Sequence, residues 1–315
     1  MSVLSELDHL VEVPGNPRPE GAELVWFTSS AGRRLRACLV PALTLDTVRG
    51  TVIVCPGRTE FIEKYFEVAR ELQAKGFAAL ILDWPGQGLS ERLLEDRSKG
   101  HIDDFQTFMG ALQKGLDELG DKLPRPYVAL AHSMGGAIAL AAISEKLVEV
   151  SAAAFCAPMW GLRTRLFGMR YLVWAMRAMG RSGDYAQQPG PPERFKDNVV
   201  THDENRWQIH RDLIDTAPDL ELGPVTWGWL GASLAIVRTF ARRSKLEAIE
   251  IPILVASAGE EKLVDNRSHD RICESLPNCE HIRVDGAMHE ILMEKDEKRS
   301  EFWAAFDTML ERAGV

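Results

Sequence analysis

A serine, a set of acids and a histidine stand along this chain in the order that a nucleophile-elbow fold uses for acyl transfer. Ser133 lies in Leu130-Ala131-His132-Ser133-Met134-Gly135-Gly136. An apolar run ends there and a small-residue helical pattern follows. This predicts a strand, a tight turn and a helix, with the serine at the apex where its hydroxyl can attack a carbonyl. Ala131, Gly135 and Gly136 let strand and helix pack closely around a strained turn. Ala131 departs from the first glycine of G-x-S-x-G, and read alone the string also suits a helix start with serine near the N-cap. A serine needs a base, and the base needs an orienting carboxylate; the elbow fold orders them serine, acid, histidine along the chain. A strand expected over 252–257 runs into Gly259-Glu260-Glu261-Lys262-Leu263-Val264-Asp265, which places acids at its carboxyl end. The next strand ends near Val284 and runs into Asp285-Gly286-Ala287-Met288-His289. A lone loop histidine is usually a solvated polar group; order, spacing and location together make His289 the expected base. An oxyanion needs donors as well. The N–H of Met134, after the nucleophile, is one expected donor, and Arg58 N–H in Cys55-Pro56-Gly57-Arg58-Thr59-Glu60 is the other. Gly57 allows close backbone approach there, while Thr59 or Glu60 can cap the helix that follows.

These residues have to be positioned by a sheet. Strands are expected at 23–28 and 33–40 around the turn at 29–32, then at 51–55, 78–82, 126–131, 152–156, 252–257 and 281–284. Helical periodicity covers 60–76, 102–119, 134–147 and 296–312. Strands alternating with helices imply parallel pairing through right-handed crossovers. Nearly continuous apolar strands imply a sheet covered on both faces. The alternation fails between Pro158 and Ile249, a stretch rich in helix formers but broken by Gln188-Pro189-Gly190-Pro191-Pro192. The expected organisation is therefore a core in two parts, 1–157 and 250–315, with a helical insertion over 158–249. That insertion would sit as a lid on the carboxyl edge of the sheet, where open α/β sheets place their ligands. Asp83, before Pro85-Gly86-Gln87-Gly88, precedes the nucleophile and so is expected to stabilise a turn rather than to serve as the acid.

With 315 residues the chain can bury a large core. Its net charge of −9 argues against nucleic acid as a partner. The acidic start, Met1 to Asp8, lacks the apolar run of a secretory signal, and no stretch approaches the roughly 20 apolar residues of a membrane span. Five cysteines without C-x-x-C spacing, three of them in apolar strands, suggest free thiols in a reducing, cytoplasmic setting. No H-E-x-x-H and no Cys/His cluster is present, so neither metal nor cofactor is expected.

Five stretches together resemble the lysophospholipase and monoacylglycerol lipase branch of the α/β-hydrolases: CPGRTEFIEKY (55–65), LDWPGQGLS (82–90), LAHSMGGAI (130–138), VDNRSHDRICE (264–274) and GAMHEILMEKD (286–296). The chain is most similar to bacterial lysophospholipases associated with the inner membrane. The resemblance implies an α/β-hydrolase fold, with a mostly parallel central sheet, helices on both faces and a helical lid. It implies Ser133 as nucleophile, His289 as base, and Arg58 and Met134 as oxyanion donors. It places the acid at Glu261, where the wider family more often has Asp. Glu is one methylene longer, which leaves Asp265 and Glu260 as alternatives. Related enzymes that cleave epoxides or carbon–halogen bonds carry Asp at the elbow, and Ser133 disfavours them. The implied substrate is a small-molecule lipid or ester such as a lysophospholipid or monoacylglycerol; another ester, a thioester or a small peptide, or a silent binding protein on this fold, are the alternatives.

The insertion carries five of the eight tryptophans, at 160, 174, 207, 227 and 229. Such crowding suits either an apolar channel for an acyl chain or the insertion's own small core. Arg163, Arg170 and Arg177 recur at seven-residue spacing with Leu166, Phe167, Met169, Leu172, Val173, Trp174 and Met176 between them. A basic, apolar helix of this kind can lie on an anionic membrane surface, or present a solvated arginine face while docked on the core.

Overall fold

The computed structural model describes residues 9–43, 48–163, 168–191 and 194–315. Eight strands form one sheet in the order β1-β2-β4-β3-β5-β6-β7-β8. The strands are β1 (Glu23–Thr28), β2 (Arg34–Val40), β3 (Gly50–Cys55), β4 (Phe77–Leu82), β5 (Tyr127–His132), β6 (Ala152–Cys156), β7 (Ile253–Ala258) and β8 (Cys279–Val284). β1 and β2 form an antiparallel hairpin, and β2 meets β4 antiparallel. From β4 to β8 every pairing is parallel. The helices between them are α1 (Phe66–Ala74), α2 (Gln106–Leu119), α3 (Ser133–Ser144), α4 (Met169–Ala178), α5 (Glu204–Thr216), α6 (Trp227–Thr239), α7 (Arg243–Leu246), α8 (Arg267–Cys273) and α9 (Asp296–Ala313). This is the α/β-hydrolase arrangement.

Strand residues divide by parity. Ile53, Leu80, Ala129, Phe155 and Val255 pack on one face with Phe108 and Leu112 of α2, Ile138 of α3 and Ile236 of α6. Val54, Ile81, Leu130, Ala154 and Leu254 pack on the other with Val68 and Leu72 of α1 and Phe302 and Phe306 of α9. Both parities are buried, which is why β3 to β7 read as continuous apolar runs rather than as alternating ones.

The carboxyl ends of the parallel strands carry the chemistry. β3 ends at the 55–60 loop, β4 at the 83–90 turn, β5 at Ser133, β7 at Glu261 and β8 at His289. Within 158–249 the described residues add no strand to this sheet and form α4 to α7.

Candidate active site

Ser133 follows β5 directly and opens α3 with a φ of +49°, in the left-handed region that side chains rarely occupy. Close packing holds it there. A Cβ at Gly135 would stand 2.1 Å from Cys55 O, and one at Gly136 2.6 Å from Pro158 Cβ. Only glycine lets α3 approach the end of β3 this closely.

Ser133 Oγ lies 2.9 Å from His289 Nε2. His289 Nδ1 lies 2.7 Å from Glu261 Oε2. The second oxygen, Oε1, accepts the N–H groups of Leu263 at 2.6 Å and Val264 at 3.1 Å. Burial pushes the Glu261 carboxyl up; the hydrogen bond and charge of His289 outweigh that and hold it below the usual carboxylate range. Asp265 turns outward and pairs with Arg267, while Glu260 is half-exposed beside His202. The structure thus brings Ser133, His289 and Glu261 together and leaves the other two acids out. The extra methylene of Glu over Asp is accommodated because its far oxygen is pinned by its own loop.

Among the described residues neither Arg58 N–H nor Met134 N–H has a protein acceptor. Met134 is in the first turn of α3, where N–H groups have no partner within the helix. The loop carrying Arg58 is fixed from three sides. Trp84 Nε1 donates to Pro56 O at 2.8 Å, and Gln87 Nε2 donates to Gly57 O at 3.1 Å. Gly57 N–H donates to Glu60 Oε2. A Cβ at Gly57 would lie 2.8 Å from Glu60 Oε2 and 2.9 Å from His132 Nδ1, so this position excludes side chains. The 83–90 turn is itself locked: Asp83 accepts Ile62 N–H and Leu89 N–H, both at 2.9 Å, and pairs with fully buried Arg36, which also bridges to Glu63.

Behind the serine lies a second histidine–carboxylate pair that the motifs do not reveal. His132 Nδ1 stands 3.1 Å from Glu60 Oε2, and Nε2 faces the carbonyl of His289 at 3.3 Å. The two imidazoles lie 4.9 Å apart. Glu60 also accepts from Tyr65 Oη at 2.7 Å and Lys64 Nζ at 2.9 Å, and Lys64 reaches Glu290 at 2.6 Å. Burial disfavours charge on His132, but Glu60 outweighs it and raises the imidazole pKa. Both ring nitrogens face acceptors, the Glu60 carboxylate and the main-chain carbonyl of His289, an arrangement that favours the protonated ring. The sequence signal was available in hindsight: a histidine ends an otherwise apolar strand. A different serine–histidine group, Ser257 between His269 and His281 at 2.7 Å each, is buried away from this opening, with His269 donating to Pro158 O.

Ser133 and His289 open onto a cavity of about 320 Å³ with an apolar wall formed by Met159, Leu162, Val200, Val225, Trp229 and Val264. Five of these, Met159, Leu162, Val200, Val225 and Trp229, come from 158–249. The tryptophans of that stretch serve different ends. Trp160 is fully buried under the sheet, Trp229 lines the cavity, and Trp174 is 71% exposed. The arginine stripe is divided. Gly168, at φ +93°, precedes α4, so Arg163 is not on the helix and instead donates to Glu261 O at 2.6 Å. Arg177 donates to Asp103 O, and Leu166 and Phe167 lie outside the described residues. Among the described residues no group of three or more His, Cys, Asp or Glu is placed to hold a metal, and no helix is long and apolar enough to cross a membrane.

Comparison with known proteins gives the family and the fold. The chain is 34% identical to lysophospholipase L2 of Escherichia coli, over 79% of this chain and 76% of that one. It is 25% identical to a monoacylglycerol lipase of Mycolicibacterium smegmatis, over 79% and 84%. In three dimensions it matches a soluble variant of monoglyceride lipase from Saccharomyces cerevisiae with a TM-score of 0.76 and 16% identity, covering 96% of this chain and 100% of that one. A carboxyl esterase from Bacillus coagulans matches at 0.74, again with 16% identity, over 93% and 99%. The sequence model of the family described as serine aminopeptidase, S33, spans residues 46–296. With that span, the L2 identity and the eight-stranded sheet together, the chain belongs to the S33 family of α/β-hydrolases and is a serine hydrolase.

Proposed function

We propose that the chain hydrolyses the carboxylic ester of a single-chain lipid, a lysophospholipid or monoacylglycerol, through an acyl-enzyme on Ser133. The observation that carries this reading is the chain of contacts from Ser133 through His289 to Glu261 at the floor of an apolar-walled cavity. Ser133 Oγ attacks the ester carbonyl while His289 Nε2 takes its proton. The N–H groups of Arg58 and Met134 receive the oxyanion. His289 returns the proton to the leaving alcohol and then activates water against the acyl-enzyme. Glu261 holds the imidazole in the tautomer this needs. Residues 158–249 act as the lid, between core parts 1–157 and 250–315. An aminopeptidase would need a carboxylate for the substrate's amino group. The carboxylate on the cavity wall, Glu290, is taken by Lys64, which favours the ester.

Tyr171, Leu172, Trp174 and Met179 on and beside α4 are exposed, as is Leu263 next to the acid's loop. This apolar face supports peripheral contact with a membrane surface, on the cytoplasmic side in a reducing compartment. The decisive experiment is a hydrolysis screen across lysophospholipids, monoacylglycerols, short esters, acyl-thioesters and aminoacyl amides, run alongside fluorophosphonate labelling. Cleavage of single-chain lipid esters is expected. Cleavage confined to amides, or no labelling, would overturn the reading.

A further inference from the structure

The guanidinium of Arg58 is unlike the other deeply placed arginines. Arg36 meets Glu63 and Asp83, and Arg299 meets Glu67 and Glu71. Arg92 also lacks a carboxylate in contact and has a buried Nε without a partner, but it spends both terminal nitrogens on the carbonyls of Gly86, Asp219 and Glu221. The Arg58 guanidinium makes a single hydrogen bond among the described residues, from Nη2 to Gly223 O, and its Nε is buried with no partner. Trp229 lies beside it, with Cζ 5.7 Å from the ring. It is the one Lys or Arg among the described residues lining the cavity that holds Ser133 and His289. Glu290 on the same wall is neutralised by Lys64. Burial pulls the guanidinium down to about 10, so it remains charged at neutral pH. A cation kept here without a counter-charge is costly unless an anion completes it.

We propose that the Arg58 side chain binds the phosphate oxyanion of the substrate's head group, so that the site prefers phosphorylated single-chain esters over uncharged monoacylglycerols. This rests on the ester-hydrolase reading above and deepens it. The reach is suitable. About six bonds separate the carbonyl carbon of a 1-acyl glycerophospholipid from phosphorus, and about six separate the Arg58 backbone nitrogen from Cζ. With the main-chain N–H on the oxyanion, the guanidinium is long enough to reach the head group, where its charged N–H groups can donate to phosphate oxygens. The same residue would then read both ends of the polar part of the substrate. A purely structural tie between Arg58 and Gly223 predicts no such selectivity.

The test compares a lysophosphatidylethanolamine with a monoacylglycerol of the same acyl chain, both below their micelle concentrations, in the parent, Arg58→Gln and Arg58→Lys. Charge-assisted hydrogen bonds of this kind correspond to about a ten- to hundredfold change. The ratio of the two kcat/KM values should fall by that factor in Arg58→Gln, mostly through KM, and recover in part in Arg58→Lys. A parallel fall for both lipids, with the ratio unchanged, overturns the proposal and leaves the hydrolase reading standing. A parent that cleaves neither lipid overturns the hydrolase reading. The phosphate contact is then decided by calorimetric titration with a monoalkyl phosphate, the matching alkylglycerol and inorganic phosphate. Tighter binding of the alkyl phosphate in the parent, lost in Arg58→Gln, supports the contact. Equal affinities for the two alkyl ligands, or inorganic phosphate binding as tightly as the alkyl phosphate, overturn head-group recognition.

Discussion

Ser133 gains nothing from packing its hydroxyl, so Ser133→Ala should abolish hydrolysis and fluorophosphonate labelling while the thermal midpoint stays within a few degrees. A well-folded, active variant would remove it from the chemistry. The acid is a sharper case. From the residues alone Glu260, Glu261 and Asp265 were equivalent, because strand ends do not reveal which side chain turns inward. The two N–H groups that pin Glu261 Oε1 are a loop property with no sequence signature. Glu261→Gln should lower kcat by up to about 10⁴, the loss seen when a triad carboxylate becomes an amide. Asp265→Asn should cost only a few-fold; a larger loss in the second variant would transfer the role. His132 left only a weak signal in the sequence, a histidine closing an apolar strand, because a polar residue at a strand end is common. Its pair with Glu60 gives it a folded pKa above the unfolded value of about 6.5. The stabilisation is therefore fully present below that value and is lost as pH rises through the raised folded pKa. Denaturant titrations of parent and His132→Gln should diverge most below the unfolded value and converge as pH rises through the raised folded pKa. A constant gap would mean that His132 is neutral in the fold.

Among the elements, β3 to β7 were legible to within a residue or two, since burial on both faces leaves an unbroken apolar imprint. β8 was read short, because its residues are mostly half-buried and polar ones enter the run. The arginine stripe misled for a local reason: Gly168 sets the start of α4 and detaches Arg163, and periodicity cannot see a helix boundary made by a backbone angle. The 83–90 turn was recognised as a turn, but its hold on the Arg58 loop through Trp84 and Gln87 was not, since that contact joins segments the sequence keeps apart. Gln87→Ala should free the loop and lower kcat by about tenfold or more with little change in KM, approaching the loss from deleting an oxyanion donor. An unchanged kcat would show that the loop is held without it. For α4, Leu172→Ser with Trp174→Ser should weaken sedimentation with anionic vesicles at low salt while short-ester hydrolysis persists. Undiminished sedimentation would put the membrane contact elsewhere.

At the scale of the molecule, strand order was the least legible feature. Parallel pairing followed from alternation, but nothing in the residues says that β4 lies between β2 and β3. The family resemblance implied a mostly parallel sheet but not the order of its strands. One consequence follows from the carbonyl of His289 resting on His132. The nucleophile and its base come from segments separated by the whole of 158–249, and they meet only when β7 and β8 are paired into the sheet beyond β5 and β6. A half-assembled chain would carry an inert serine. During refolding from denaturant, covalent capture of Ser133 by a fluorophosphonate should therefore lag behind the return of backbone structure, so that the probe acts as a clock for the last docking step.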